Sequence, residues 1–227
     1  MMRLLLPLWL LGSALSFPLL ADEAPDLAAR IRYQDRITGS DGIARENHWQ
    51  EKWIRVGNQV WSQRLIPLPL ARAYHASHDA TPGHKHFTHQ MAARWVSRDD
   101  EGELQLRYAD AWHNQLVEVP PEEYGQVAFT PHWDKLRHLV DPVLLQGMTP
   151  LDEAATEQAR WYEKREGKQR TRILWSSQWQ LPLVVESASL DGYRSYRMEV
   201  TLKPLPRQLP WQQLDGYQTL DLRDFFD

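Results

Sequence analysis

Five of the chain's nine histidines fall within one short stretch, YHASHDATPGHKHFTHQ (Tyr74–Gln90): His75, His78, His84, His86 and His89. Imidazole is the commonest ligand of the late transition metals, and a chain without cysteine must build such a site from nitrogen and oxygen donors. On a strand, His84 and His86 share a face; in a loop or helical turn, His75 with His78 and His86 with His89 converge. Asp79 adds a carboxylate, and His113 is a candidate to approach from a neighbouring strand. Pro82-Gly83 divides the cluster, so its halves can fold back on each other. The five histidines are therefore the candidate copper or zinc ligands. The competing reading is a polar connection running over the surface, with histidines near neutral above their intrinsic pKa of about 6.5.

The known catalytic spacings do not fit. HKHFTH (His84–His89) has the H-x-H-x-D-H spacing of metallo-β-lactamase-type hydrolases, but Thr88 stands where the aspartate belongs. Cupins also use H-x-H, yet the next glutamate, Glu101, is too far along the chain. There is no H-E-x-x-H, no G-x-S-x-G elbow and no glycine-rich phosphate loop. Glu122-Glu123, Asp99-Asp100-Glu101 and the terminal Asp221, Asp224 and Asp227 fall in turns or the tail, where acids are ordinarily solvated. The expectation is a protein that is not an enzyme, with no catalytic residues and no cofactor other than copper or zinc.

The first residues bear on compartment. Arg3 precedes an apolar run, Leu4–Leu20, broken by Pro7, Gly12 and Pro18, and Ala21 comes before the first acids, Asp22 and Glu23. That is the layout of a secretory signal peptide cleaved after Ala21, with the prolines disfavouring a retained spanning helix. The expected division is residues 1–21 as leader and 22–227 as one domain in the periplasm, not integral to the membrane once the leader is removed. Lys and Arg total 26 against 30 Asp and Glu, which argues against nucleic acid and against anionic membranes as partners. No disulfide is possible, so packing alone must hold the fold. Eleven tryptophans suit long strands buried on one face and wet at their margins.

Most of the chain reads as β. ARENHWQEKWIRV runs into Gly57-Asn58, a two-residue hairpin signal, and returns as QVWSQRLIP. QMAARWVSRD, ELQLRYADAW and LVEV form a second meander. RWYEKRE, QRTRILWSSQW, LVVESASL and YRSYRMEVTL form a third, around Gly167-Lys168, Leu181-Pro182 and Asp191-Gly192. In the last strand Tyr196, Met198, Val200 and Leu202 take one face. LIPLPLA (Leu65–Ala71) reads as a buried crossover or a lip. Helices are few: Pro25–Ile31 as a short entry helix, a helix capped at Thr130-Pro131 carrying Trp133, Leu136, Leu139 and Val140, and a third opened by a capping box at Thr149–Asp152.

An export leader, a short N-terminal helix, long antiparallel hairpins, a mid-chain helical insertion and closing hairpins together resemble the periplasmic lipoprotein-carrier fold. This is the superfamily of LolA and of the N-terminal domain of the sigma-factor regulator RseB. The likeness is carried by His48–Pro67, HWQEKWIRVGNQVWSQRLIP, by Leu181–Pro206, LPLVVESASLDGYRSYRMEVTLKPLP, and by the tail TLDLRDFFD. It implies a mainly β (α+β) fold, with a curved antiparallel sheet forming an open half-barrel and a few helices plugging its concave face. Trp133, Leu136 and Leu139 would then be plug residues, and Trp49, Trp53, Trp61 and Trp95 would belong to the cavity wall. The implied partner is an apolar ligand or a lipidated protein. Two alternatives stand beside it: a periplasmic copper- or zinc-binding protein using His75–His89, and a regulatory or assembly factor that binds another envelope protein.

Overall fold

The computed structural model describes residues 24–78, 87–153 and 158–225. The expected leader, together with Asp79, His84 and His86, lies outside them, as does the side chain of His78. Twelve strands form one sheet: β1 (Leu27–Thr38), β2 (Ala44–Val56), β3 (Gln59–Arg64), β4 (Ala93–Arg98), β5 (Leu104–Asp110), β6 (Gln115–Val119), β7 (Thr149–Pro150), β8 (Ala159–Glu166), β9 (Gln169–Ser176), β10 (Leu181–Ser189), β11 (Arg194–Lys203) and β12 (Gln218–Asp221). Their order is β12-β6-β5-β4-β3-β2-β1-β11-β10-β9-β8-β7, antiparallel except where β12 runs parallel to β6, and the two edges do not meet. The architecture is the open, curved antiparallel half-barrel that the resemblance implied.

Hairpins between successive strands build each half, and β1 joins the halves by pairing with both β2 and β11. That double pairing explains why Leu27–Ile31 is strand and not the expected entry helix. A strand with two neighbours satisfies its backbone on both sides, and this outweighs a weak local helix preference. Ile31, at its centre, is fully buried. The expected helix at Thr149–Asp152 is likewise replaced, because Thr149–Pro150 pairs with β8 at the sheet edge, where proline's missing donor costs little.

Alternation sorts the side chains onto two faces. Inward lie Ala29, Ile31 and Tyr33 of β1, Trp53 of β2, Ile173 of β9, Val185 of β10 and Met198 and Val200 of β11. On this concave face rests the insertion, residues 121–148. It consists of a 3-10 stretch (Pro121–Val127), α2 (Trp133–His138) and a second 3-10 stretch (Pro142–Gly147). Trp133, Leu139, Val140 and Leu145 pack toward β1 and β8–β11, while Val127, Phe129 and Leu136 pack on β4–β6. The helix begins two residues later than Thr130-Pro131 suggests: His132 is the N-cap, its ring accepting from the Lys135 backbone N–H at 3.4 Å.

The convex face is covered in a different way. After β11 the chain crosses behind the sheet, and Leu209, Trp211, Leu214 and Tyr217 pack on Ala28, Ile54, Trp61, Ala93 and Ala109. Beyond this patch the convex side of β1 and β9–β11 is charged, with Arg32 paired to Glu199 at 3.2 Å and Arg197 to Glu199 at 2.8 Å. The apolar segment Leu65–Ala71 leads into helix α1 (Leu68–His78), so the first part of the histidine stretch is helical and not a loop.

Candidate functional site

Between the sheet and its insertion lies a cavity of about 340 Å³. Its floor is Tyr33, Glu51, Trp53, Ser62 and Arg94, and its roof is Ala128, Phe129, Thr130, His132, Lys135, Leu136 and Leu139. A second hollow of about 270 Å³ adjoins it, sharing Glu51, Ser62, Arg94 and Ala128 and adding Arg64, His89 and Tyr108. The floor follows from register: Trp53 pairs with Ser62, Ser62 with Arg94, and Arg94 with Tyr108, one inward row across four strands. Two roof residues without the glycine exemption adopt left-handed backbone, Ala128 (φ 50°) and Leu139 (φ 67°). Each costs on the order of 1 kcal/mol or more, so the packing of the insertion holds them there.

This interior is apolar at its sides and polar along the middle of its floor. The Tyr33 hydroxyl donates to the Glu51 carboxylate at 3.1 Å. Burial, and then the Glu51 charge, hold that phenol far above its ordinary range, so it remains a donor. Tyr196 is pushed up to about 12 by burial, with Glu51 and Asp35 adding to it. His89 stands beside Tyr108, and burial followed by the Arg94 charge lowers its pKa, which keeps the ring neutral. The Arg94 guanidinium lies over the Phe129 ring, 6.0 Å from its centroid.

The insertion is tied to the sheet by two arginines that use backbone carbonyls as acceptors. Arg55, fully buried on β2, donates to the carbonyls of Pro25 (2.9 Å), Arg137 (2.8 Å), Trp179 (2.6 Å) and Gln180 (3.4 Å). Arg137, at the end of α2, reaches back to the carbonyls of Ala24 (3.0 Å) and Gly57. His138 bonds the Gln180 carbonyl through Nδ1 at 2.6 Å, which fixes the proton on that nitrogen. Burial, then the neighbouring Arg137, lowers the Arg55 pKa to about 10, which still leaves it charged at neutral pH.

Of the expected wall residues, Trp53 lines the cavity, and Trp49 sits on the same face stacked on Tyr33, with centroids 4.8 Å apart. Trp61 and Trp95 pair with each other across β3 and β4 on the opposite, convex face. Trp61 pairs with Ile54, one residue out of phase with Trp53, and Trp95 stacks on Trp211 of the tail. Leu136 and Leu139 form part of the roof, and Trp133 packs beside them against both inner clusters.

The histidine stretch is divided. His75 is buried on α1, stacked on Trp112 with centroids 4.3 Å apart, and its ring lies 5.3 Å from that of His113. His113 bonds the Asp110 carboxylate through Nδ1 at 2.7 Å, and the same carboxylate accepts from the Trp112 backbone N–H at 2.9 Å. His89 stands apart from this group, on the hollow beside Arg94. Among the described residues no three metal-ligating side chains converge.

Glu51, Arg55 and Arg94 were missed as site residues. Their signal in the sequence is partial: each is a charge two residues from an inward apolar side chain, Trp53 for Glu51 and Arg55 and Val96 for Arg94. His113, a candidate from the sequence, does approach the stretch, with its ring 5.3 Å from that of His75.

No family model matches the chain, and no curated protein matches its sequence. Among solved structures it is similar to a LolA superfamily protein from Nitrosomonas europaea, at 10% identity over 81% of this chain and 89% of that one, with a TM-score of 0.33. An outer membrane lipoprotein-sorting protein domain from Vibrio parahaemolyticus is similar at 9% identity over 83% of this chain and 89% of that one, TM-score 0.29. PNGF-II is similar at 9% identity and TM-score 0.36 over 88% of this chain, which spans about a third (32%) of PNGF-II's length. LolA-superfamily chains are thus among its structural neighbours at low identity, and at TM-scores this low the likeness carries no argument about function.

Proposed function

We propose that the chain is an exported binding or carrier protein that holds an apolar or lipidated ligand on its concave face, and that it is not an enzyme. The observation that carries this reading is the covered cavity itself. A helical insertion roofs the concave sheet, and the space beneath it is walled by Trp53, Phe129, Leu136 and Leu139. The roof is attached through side-chain bonds to carbonyls, not through strand pairing. At about 340 Å³ the cavity stands at the small end of ligand pockets, roughly 300–1,000 Å³. A long acyl chain therefore requires the insertion to shift, and apolar area withdrawn from water, at about 25 cal/mol per Å², is the driving force for filling it. The leader-like start supports the periplasm as its compartment, and among the described residues no helix is long and apolar enough to cross a membrane.

One observation favours a second reading, metal handling. It is the approach of two imidazoles, His75 and His113, with rings 5.3 Å apart, His113 being a candidate that the sequence also offered. One preparation tests both readings. Protein purified without detergent is examined by native mass spectrometry for bound lipid, and by elemental analysis after dialysis for copper and zinc. Co-purifying lipid that is released on denaturation is the expected result. Stoichiometric metal without lipid would replace the carrier reading with the second.

A further inference from the structure

The middle of the cavity floor carries a cation with no counter-charge in contact. Arg94 is half-buried, lines both hollows, and has five N–H donors. Its contact is the face of Phe129, and within the described residues it makes no hydrogen bond and no ion pair. The carboxylate that shares the space, Glu51, is engaged instead by the Tyr33 hydroxyl at 3.1 Å. His132, on the roof, already uses both ring nitrogens: Nδ1 accepts from the Lys135 backbone, and Nε2 pairs with Asp141 at 3.1 Å. The residues lining the two hollows thus include three cations, Arg64, Arg94 and Lys135, against the single carboxylate Glu51. Arg94 is half-buried, and none of its nitrogens is cut off from solvent; a ligand that fills the space takes the guanidinium out of water, which is costly without an acceptor. A wholly apolar ligand would leave that cost in place, whereas an anionic group would relieve it with charge-assisted hydrogen bonds.

We propose that Arg94 binds the anionic head of a small amphiphile, with the Ser62 hydroxyl beside it and the ligand's apolar body against Trp53, Phe129, Leu136 and Leu139. This rests on the carrier reading and narrows it from an apolar ligand to one carrying a carboxylate or phosphate. Ser62 is the register partner of Arg94, so the two present donors side by side on the floor. Lys135 is exposed at the rim and adds attraction at the entrance.

Isothermal calorimetry of the protein with decanoate, decyl phosphate, decanol and decyltrimethylammonium, each below its micelle concentration, tests the assignment. Decanoate or decyl phosphate is expected to bind about tenfold or more tightly than decanol, and the cation most weakly. The stronger of the two anions identifies the source as a free acyl carboxylate or a phosphate-headed lipid. Arg94→Met should lower anion affinity to that of decanol and leave decanol unchanged, while Arg94→Lys should retain a preference for the anions. Equal binding of decanol and both anions by the unaltered protein, a comparison that requires no variant, overturns the inference and leaves the carrier reading standing. Unchanged anion affinity in a folded Arg94→Met protein overturns it in the same way. Absence of binding by every probe overturns both.

Discussion

At the scale of single residues, the inward charges carry most of the meaning. Trp49, Glu51, Trp53 and Arg55 occupy alternate positions of β2 and share its inward phase, yet they do different things. The tryptophans pack, Glu51 holds a phenol in the cavity, and Arg55 ties three segments together. Among the described residues the hydrogen bonds of Arg55 all go to carbonyls, with the Asp26 charge acting on it without contact. Arg55→Met keeps most of the volume but leaves those acceptors unpaired, at about 1–3 kcal/mol for each one that water cannot reach. The expected loss is about 3 kcal/mol in urea-induced unfolding. A loss below about 1 kcal/mol would mean that the carbonyls find other donors and that the tie is not structural. The charges themselves were legible in the sequence. Their partners were not, because Pro25, Arg137 and Trp179 are remote in the chain and are brought to Arg55 by the sheet's closure around the insertion.

At the scale of elements, the insertion and the tail cover opposite faces of one sheet. The insertion's apolar residues follow the spacing that predicted it. The segment after β11, by contrast, carried no expectation, and its role in covering the convex face could not be read from LPWQQLDGY. Trp211 becomes partly buried because β4 presents Trp95 to it, with ring centroids 6.4 Å apart. Without the tail, Trp61, Trp95 and Leu116 would form an exposed apolar patch, and β6 would become an open edge. Truncation after Lys203 is therefore expected to give a protein that self-associates, detected as increased light scattering and early elution in size exclusion. A truncated protein that remains monomeric and as stable as the full chain would show that the tail is an accessory and not a layer of the fold.

At the scale of the whole molecule, stability should depend on pH through buried His138 and half-buried His89. Burial lowers the pKa of His138, with the Gln180 hydrogen bond acting in the opposite direction, and burial and Arg94 lower that of His89. For a base whose folded pKa lies below its unfolded value of about 6.5, the unfolded chain binds the proton first as pH falls. The stabilisation is therefore complete above about pH 6.5 and declines below it. The carboxylates with lowered pKa, Asp41, Asp191 and Asp221, titrate at more acidic pH and do not confuse the window from pH 7 to 5. Tm should fall across that window. His138→Asn, whose carboxamide can still donate to the Gln180 carbonyl, should flatten part of the fall; an unaltered slope would assign the effect to other groups. The sequence by itself determined the strands, most of their turns and the helical insertion, because alternation, Gly-Asn and Asp-Gly turns and helical spacing are local properties of the chain. Only the tertiary structure decided that Leu27–Ile31 is a central strand, that Trp61 faces away from Trp53, that His75 meets His113, and that Arg94 lies on a cavity floor. Each depends on which strand pairs with which and in what phase. A shift of one residue exchanges the two faces, and no single strand carries that information alone.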